Sequence, residues 1–386
     1  MLAVDFFSIE TLLTDEEKLI QESAAKFVDR EVLPIIGDYF ERGEFPLHLV
    51  KKMAREGFLG AGLQTHGGAG INSVAYGLLM QELERGDSGI RSFVSVQNGL
   101  VIHPIDKFGT AEQKDKWLPG LINGDLIGCF GLTEPDYGSD PSGLKTRALK
   151  EGNAWVLNGS KMWITNADIA DLFIIWAYLD EIMRGFVIEK GTPGMSVQKI
   201  GHKFSMRASD TGEIHLLDCR IPQENILPKT EGLGSVFSCL NQARYSIAWG
   251  VLGAAIACYQ EALEHSKTRI IFNKPIGQFQ LVQEKLVDML TGITCGQLLA
   301  LQLGRLMEEG SAEFSQISMA KRNNVRMALD TARKARDILG ASGISVEYNS
   351  IRHMLNLESV STYEGTDAVQ TLILGKKITG FDAVRN

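Results

Sequence analysis

The stretch AWVLNGSKMWIT, residues 154–165, places two runs of strand-forming residues on either side of Asn158-Gly159. Asn-Gly between such runs is a strong signal for a tight turn, so we expect a β-hairpin here. Further runs of the same kind follow at 172–176, 185–188, 195–197 and 213–217, separated by glycine, proline and asparagine. Short strands with this punctuation predict a β domain, a small barrel or sandwich, that ends near residue 222.

Helical patterns lie on both sides of this strand-rich region. Thr14-Asp15-Glu16-Glu17 forms a capping-box pattern, and apolar residues follow it at helical spacing. After residue 237, long apolar-periodic segments cover 245–268, 280–309 and 314–339, and a further helix is expected at 371–380. This order predicts a mainly α fold with a central β domain, divided into a helical N-terminal domain (1–125), the β domain (126–235) and a C-terminal helical bundle (236–386).

The composition is that of a globular protein of two or three domains. The 386 residues are 44% hydrophobic and 22% charged, and the net charge of -8 argues against a nucleic-acid-binding surface. No stretch reaches about 20 consecutive apolar residues, so we expect no membrane span. The N-terminus is acidic and lacks the apolar core of a signal peptide. We therefore expect a soluble intracellular protein, cytoplasmic if bacterial, and in the mitochondrial matrix only if a transit peptide was removed.

Several common cofactor and metal motifs are absent from the sequence. The cysteines form no C-x-x-C, and no pair of histidines has the H-E-x-x-H spacing, so neither a disulfide framework nor a metal site is expected. The glycine-rich segments near residues 60–70 do not complete G-x-G-x-x-G, and no P-loop occurs. A nicotinamide site is therefore disfavoured.

Three short segments carry residue types that suit a flat, polar cofactor. CFGLTEPDYGSDP (129–141) is either a surface loop or a rigid loop whose backbone N–H groups and hydroxyls face the cofactor. MWITN (162–166) offers an indole and a threonine hydroxyl to a flat ring system, although a single tryptophan on a strand more often lies in a core. TYEGT (362–366) places Glu364 between an aromatic residue and a glycine, although a lone carboxylate is ordinarily solvated surface.

In this order and at these spacings, the three segments resemble the acyl-CoA dehydrogenase family, with its T-E-P-x-x-G-S-D loop, W-I-T strand and Y-E-G-T turn. The resemblance covers nearly the whole chain, to Gly380. It implies a helical N-terminal domain, a small β barrel and a C-terminal four-helix bundle. It also implies FAD at a subunit interface of a homotetramer, an acyl-CoA substrate, and an electron-transfer flavoprotein as electron acceptor.

Within that family, the sequence is most similar to the glutaryl-CoA dehydrogenase branch. ERGDSGIRS (84–92), NQARY (241–245) and TYEGT (362–366) carry this similarity. It implies that Arg91 and Ser92 hold the distal carboxylate of a glutaryl chain, with Glu84 nearby, since an arginine fork suits a carboxylate. The implied reaction is the oxidation and decarboxylation of glutaryl-CoA to crotonyl-CoA. Without the resemblance, Arg91 is an ordinary surface arginine.

The resemblance also assigns the remaining site residues by matching motifs. Glu364 becomes the catalytic base, since the position that isovaleryl- and long-chain-type members use for the base is Ala243 here. The substrate-binding set is Glu84, Arg91, Ser92, Ser139, Phe237, Asn241, Arg244, Tyr363 and Gly365. The FAD-binding set is Phe130, Leu132, Thr133, Gly138, Ser139, Trp163, Ile164, Thr165 and Thr366, with Arg269, Gln280, Asp337, Leu339, Gly340 and Ala341 reaching the FAD of a neighbouring subunit.

Two segments depart from the family pattern where the adenine half of FAD is bound. The usual R-x-Q-F-G reads Arg269-Ile270-Ile271-Phe272-Asn273, and the usual G-G-x-G reads Gly340-Ala341-Ser342-Gly343. Asn273 is expected to replace glycine with little strain, since asparagine tolerates left-handed backbone better than most residues. Three alternatives stay open: a dehydrogenase of acyl-CoA or carrier-protein thioesters without decarboxylation, an acyl-CoA oxidase, and a non-catalytic scaffold that lost tight FAD binding.

Overall fold

The computed structural model describes residues 4–384, which form seven N-terminal helices, a curled β-sheet and a C-terminal helical part. The predicted fold class, mainly α with a central β domain, is confirmed. The N-terminal helices are α1 (Asp15–Phe27), α2 (Ile36–Arg42), α3 (Leu49–Arg55), α4 (Ser73–Gly86), α5 (Ser88–Ser95), α6 (His103–Phe108) and α7 (Ala111–Ile122).

The strands and the remaining helices follow in chain order. The sheet contains β1 (Gly128–Gly131), β2 (Arg147–Glu151), β3 (Ala154–Thr165), β4 (Leu172–Leu179), β5 (Ile182–Glu189), β6 (Met195–Lys199) and β7 (Thr211–Pro222). The C-terminal part contains α8 (Gly232–Thr268), the two-residue strands β8 (Ile270–Ile271) and β9 (Lys274–Pro275), α9 (Gln280–Glu308), α10 (Phe314–Ile338), α11 (Asn349–Val360) and α12 (Asp367–Thr379). The domain bounds after residues 125 and 235 stay a prediction.

The predicted capping box at the start of α1 is confirmed. Glu17 N–H donates to Thr14 Oγ1 at 3.3 Å, and Thr14 N–H donates to Glu17 Oε2 at 2.8 Å. Asn72 donates to the same carboxylate at 2.9 Å, and Arg305 of α9 forms an ion pair with it. The buried Glu17 therefore connects the first helix to the start of α4 and to the C-terminal bundle.

A single residue, Asp87, separates α4 from α5 and fixes their junction. Its carboxylate accepts from Gly89 N–H at 2.7 Å, which caps α5. The second oxygen accepts from Arg352 of α11 at 2.5 Å. This junction brings Glu84, near the end of α4, within hydrogen-bonding distance of Arg91 in α5.

The seven strands β1–β7 form one curled sheet with β4 near its centre. β4 pairs with β5 along its whole length, and its other edge pairs in parallel with β1 and β2. β3 lies between β2 and β7 in antiparallel pairing, and β6 lies beside β7. Residues 172–177 of β4 are buried on both faces, as expected of a continuous apolar run.

The hairpin predicted at Asn158-Gly159 is wrong, because β3 continues through both residues. The register against β7 shifts between Leu157 and Gly159, which marks a β-bulge. Gly159 has φ 148°, and a Cβ at this position would overlap Thr146, so the close backbone approach requires glycine. Asn158 accepts from Asp218 N–H across the bulge at 2.8 Å. Asn-Gly suits both a turn and a bulge, since both need unusual backbone angles.

The C-terminal bundle is built around α8, which packs against α4, α9 and α10. Asn324 Nδ2 of α10 donates to the carbonyl of Ala248 in α8 at 2.8 Å and to that of Gly296 in α9 at 3.2 Å, so one amide connects three helices. By length and composition, α9 is apolar enough to cross a membrane, and 39% of its most apolar window is buried in the protein. The core helices of soluble proteins meet the same criterion.

Candidate active site

Glu364 lies on a tight turn between α11 and α12. Glu364 has φ 55° and Gly365 has φ 90°, so two consecutive residues adopt left-handed backbone. Glycine adopts this conformation without a steric cost, but glutamate needs surrounding contacts that maintain it. The side chain of Thr366 accepts from Val369 N–H at 3.1 Å and caps α12 directly after the turn.

Two cationic side chains from two helices hold the backbone of this turn. Lys321 Nζ of α10 donates to the carbonyl oxygens of Tyr363 and Gly365, at 2.6 Å in both cases. Arg244 Nε of α8 donates to the carbonyl oxygen of Glu364 at 2.9 Å. Three successive carbonyl groups are therefore fixed by tertiary contacts, and the Glu364 carboxylate is not needed to hold the turn.

Glu364 is half-buried, and cations face its carboxylate. Its Oε2 is buried and has no hydrogen-bond partner within residues 4–384. Burial raises the pKa of this carboxyl above its ordinary value, against the opposing charges of Arg91, Lys321 and Arg244. A carboxylate with a raised pKa and an unpartnered oxygen suits a general base. Glu364 is therefore not an ordinary solvated surface acid.

Arg91 is fully buried, so it is not an ordinary surface arginine. Its side chain is 0% exposed, and Nε donates to Glu84 Oε2 at 2.6 Å, with Glu84 also 0% exposed. Nη2 donates to the hydroxyl of Tyr363, the residue before Glu364. Although burial alone would lower it, the charge of Glu84 raises the pKa of Arg91 above its ordinary value. Nη1 is buried without a partner among the described residues, which leaves one charged donor for a ligand.

The predicted substrate residues of α8 lie along one face of that helix. Phe237, Asn241 and Arg244 follow each other at spacings of four and three residues. Phe237 is exposed, Asn241 is half-buried, and Arg244 is buried against the turn that carries Glu364. The face therefore runs from the surface toward the carboxylate. Ser92, next to Arg91 in α5, is buried.

The β-domain residues assigned to the flavin lie on segment 129–141 and the adjoining end of β3. The predicted loop is wrong for residues 129–131, which belong to β1, so the loop begins after Gly131. Met162 N–H donates to the Thr133 carbonyl at 2.8 Å, which attaches the loop to β3. Trp163 has φ 62° and is 56% exposed, so it is a surface indole and not a core residue. Its constrained backbone presents a flat face to a ligand. Of the others, Phe130, Leu132 and Ile164 are buried, Thr133 and Thr165 are half-buried, and Gly138 and Ser139 are exposed.

The residues predicted to reach a neighbouring FAD lie together at one end of the C-terminal bundle. Arg269 follows α8, Gln280 begins α9, and Asp337, at the end of α10, forms an ion pair with Lys285 of α9. Within residues 4–384, no hydrogen bond or ion pair joins this end to Glu364 or to the β-domain set. Arg269, Gln280, Asp337, Gly340 and Ala341 are exposed, and Leu339 is buried.

The departure from the family pattern at 271–273 forms the turn between β8 and β9. Phe272 has φ 47° and Asn273 has φ 63°, so both central residues are left-handed, as in a type I′ turn. The expectation that Asn273 keeps left-handed backbone is confirmed. Ile271 is exposed and supplies no side-chain amide at this surface.

Sequence reasoning missed two residues that hold the turn of Glu364. Lys321 is 2% exposed and lies on the buried stripe of α10 with Ile317 and Asn324. A lysine at an apolar-stripe position was the available signal, since an unpaired buried ammonium is costly. Gln370, the second, is buried on α12 and donates to the Gly365 carbonyl at 3.1 Å.

Comparison with known proteins accounts for the whole chain. Family models for the N-terminal, middle and C-terminal domains of acyl-CoA dehydrogenase match residues 14–125, 129–219 and 230–379. The chain belongs to the acyl-CoA dehydrogenase family. The resemblance drawn from the three motifs is thus confirmed. The human short-chain specific acyl-CoA dehydrogenase, mitochondrial, is 33% identical over 369 residues, which are 94% of this chain and 90% of that relative.

Solved structures of acyl-CoA dehydrogenases match the chain from end to end. The glutaryl-CoA dehydrogenase from Mycobacterium smegmatis is 48% identical, with a TM-score of 0.97 and 99% of each chain covered. A glutaryl-CoA dehydrogenase from the same organism, in complex with FADH2, is 46% identical, with a TM-score of 0.98 and 100% of each chain covered. The expected similarity to the glutaryl-CoA dehydrogenase branch is confirmed.

Proposed function

We propose that this chain is an FAD-dependent dehydrogenase that converts glutaryl-CoA to crotonyl-CoA and CO₂. The observation that carries the proposal is the unpartnered Nη1 of the buried Arg91. Arg91 is joined through the Tyr363 hydroxyl to the turn that carries Glu364. A buried guanidinium with a free donor is a site for an anion, and the distal carboxylate of a glutaryl chain supplies one. A butyryl chain has no group that could use this donor.

Glu364 acts in this proposal as the base that removes the α-proton of the thioester. Its unpartnered Oε2 is available to the proton, and its raised pKa makes it a stronger base than an ordinary carboxylate. The α-proton is too weakly acidic for a carboxylate until the thioester carbonyl is polarised. We assign that polarisation to the backbone N–H of Glu364, together with a hydroxyl of the cofactor. The fixed left-handed turn keeps this N–H in place.

The β-domain residues fit a flavin. The exposed indole of Trp163 and the half-buried hydroxyl of Thr165 lie on the same strand end, beside the segment that contains Phe130 of β1 and Thr133. These residues would hold FAD, which would supply an acceptor for the hydride from the β-carbon of the substrate. The role of the protein is to hold the flavin ring, to orient the acyl group and to exclude water.

Decarboxylation would follow from the same arrangement. After oxidation, the γ-carbon of the enoyl thioester still carries a carboxylate. The bond between them breaks, CO₂ leaves, and the electron pair passes through the double bond to the thioester oxygen. Glu364, protonated in the first step, returns its proton to the γ-carbon. Arg91 fixes the carboxylate by position, because a bound group in one geometry reacts faster than a mobile one.

The proposal includes an oligomer and an electron acceptor. Arg269, Gln280 and Asp337 face outward at one end of the bundle, apart from the flavin-facing residues of their own chain. They are available to the FAD of a neighbouring subunit, which supports a homotetramer with shared cofactor sites. We assign an electron-transfer flavoprotein as the acceptor of the electrons.

Product analysis of the purified protein with glutaryl-CoA and an artificial electron acceptor tests the function. Crotonyl-CoA and CO₂ should form in equal amounts, and Glu364→Gln should form neither. Glutaconyl-CoA without CO₂ would identify a dehydrogenase that does not decarboxylate. Oxygen consumption in place of the acceptor would identify an oxidase. A colourless protein that binds no added FAD would identify a scaffold.

A further inference from the structure

We propose that Lys321 is a positioning residue of the catalytic base: it fixes the left-handed turn of Glu364 through two carbonyl groups and keeps a positive charge beside the carboxylate. The proposal rests on the proposed function, because it takes Glu364 as the base. Lys321 lies on α10, whereas Arg91 lies on α5 and Arg244 on α8, and it is far in sequence from each motif that identified the family.

The geometry of the contacts fixes the backbone on both sides of Glu364. Lys321 Nζ bonds the carbonyl oxygens of Tyr363 and Gly365 at 2.6 Å, so it spans the residue between them. Each carbonyl belongs to a planar peptide unit, and the unit that begins at Tyr363 sets φ of Glu364. Arg244 holds the peptide unit between these two through the Glu364 carbonyl. The φ of 55° at a non-glycine residue is therefore maintained by tertiary contacts.

The charge of Lys321 is not neutralised by an ion pair. Its ammonium bonds only neutral carbonyl oxygens among the described residues, although its side chain is almost fully buried. The acid nearest in sequence to the turn, Asp367, is bound by Arg326 and Arg322. Burial without an opposite charge in contact lowers the pKa of Lys321 to about 7, and the charge of Glu364 opposes that fall. Lys321 is therefore cationic below about pH 7, where its charge favours the ionised form of Glu364.

Arg91 and Arg244 act on Glu364 together with Lys321. Arg91 of α5 has the largest opposing effect on the pKa of Glu364, although it also forms an ion pair of 2.6 Å with Glu84 of α4. Tyr363 stays a neutral phenol, because burial raises its pKa above its ordinary value, and Tyr76 of α4 stays neutral for the same reason. Arg244 of α8 has only a carbonyl partner, as Lys321 does. Arg91, Lys321 and Arg244 therefore all oppose the effect of burial on the pKa of Glu364, and of the three only Arg91 forms an ion pair within residues 4–384.

The test compares Lys321→Gln, which removes the charge, with Lys321→Arg, which keeps it. The matched control is Lys334→Gln, which removes a lysine from the same helix where it pairs with Asp288 and Asp330. The protonation of Glu364 is read from the infrared band of its carboxylic acid, assigned by the loss of that band in Glu364→Gln. This reading needs no turnover. The positioning of the base is read from the exchange of α-protons of butyryl-CoA in D₂O without an electron acceptor.

Loss of a cation beside a carboxylate favours its protonated form. Lys321→Gln should therefore raise the pKa of Glu364 by at least about one pH unit and slow α-proton exchange at least about tenfold. Lys334→Gln should change neither. If Lys321→Gln leaves both the pKa of Glu364 and the exchange rate unchanged, the proposal is overturned.

Lys321→Arg decides the case if Lys321→Gln does not fold. The guanidinium keeps the charge but cannot place one nitrogen between the two carbonyls, so the pKa of Glu364 should hold while exchange slows. An unchanged exchange rate or a displaced pKa would overturn the proposal. A wild-type protein that exchanges α-protons but releases no CO₂ from glutaryl-CoA would contradict the proposed function alone, and the Lys321 comparison would still apply.

Discussion

Replacement of Arg91 separates substrate recognition from support of the fold. Arg91 and Glu84 are both 0% exposed and form an ion pair of 2.6 Å, so Arg91→Ala would leave a buried carboxylate unpaired. Such a loss destabilises a protein by about 3–5 kcal/mol. The informative change is therefore the double variant Glu84→Gln/Arg91→Met, which removes both charges and keeps most of the side-chain volume.

The expected loss falls on glutaryl-CoA and largely spares butyryl-CoA. A desolvated charge pair with the distal carboxylate contributes about 2–5 kcal/mol to binding. At 1.36 kcal/mol for each factor of ten, this corresponds to a fall in kcat/KM of about 30-fold to about 5000-fold for glutaryl-CoA. Butyryl-CoA has no carboxylate, so its kcat/KM should fall by less than about tenfold.

The assay measures kcat/KM for both substrates in the wild-type, the double variant and Glu84→Gln alone. Glu84→Gln is the matched control, since it disrupts the same ion pair but keeps the Nη1 donor of Arg91. It should retain most of the preference for glutaryl-CoA. Equal losses for the two substrates in the double variant would show that Arg91 supports the fold and does not bind substrate.

Three further predictions concern the base, the first helix and the assembly. Glu364→Gln should keep substrate binding but cut turnover by at least ~10². Because burial raises the pKa of Glu364, the kcat/KM of the wild-type should already decrease at a pH above 4.5, the usual carboxyl pKa, when the pH is lowered. A decrease that begins only below pH 4.5 would contradict the assignment. Burial would raise the pKa of Glu17, but hydrogen bonds from Arg305 and other donors lower it to about 2. Ionised Glu17 therefore stabilises the fold above pH 4.5, and this stabilisation is lost as the pH falls toward 2. Glu17→Gln should therefore lower Tm at pH 7 and leave it nearly unchanged near pH 2, and an equal drop at both would refute the linkage. Light scattering should show a tetramer, or at least a dimer, and a monomer with stoichiometric FAD would exclude shared cofactor sites.

Local sequence patterns were enough to predict most elements of the fold. The capping box of α1 and the long helices α8, α9 and α10 follow from caps and apolar periodicity, which act within a few turns of chain. The runs of β3 to β7 were also found, whereas β1 and β2 were not predicted. The hairpin predicted at Asn158-Gly159 was wrong, because glycine is required at position 159 by its approach to Thr146, directly before β2, and no local pattern distinguishes that from a turn.

The sequence by itself determined the family and pointed to Glu364 as the expected base, because three ordered motifs that include Glu364 are specific even though each is short. Only the tertiary structure decided what surrounds that carboxylate. Arg91 is buried against Glu84 on another helix and Tyr363, 272 residues away, and its Nη1 has no partner among the described residues. Lys321 reached the turn from α10, 42 residues before Tyr363. Burial, pKa and unpaired donors depend on contacts between distant segments, and a linear pattern carries no record of them.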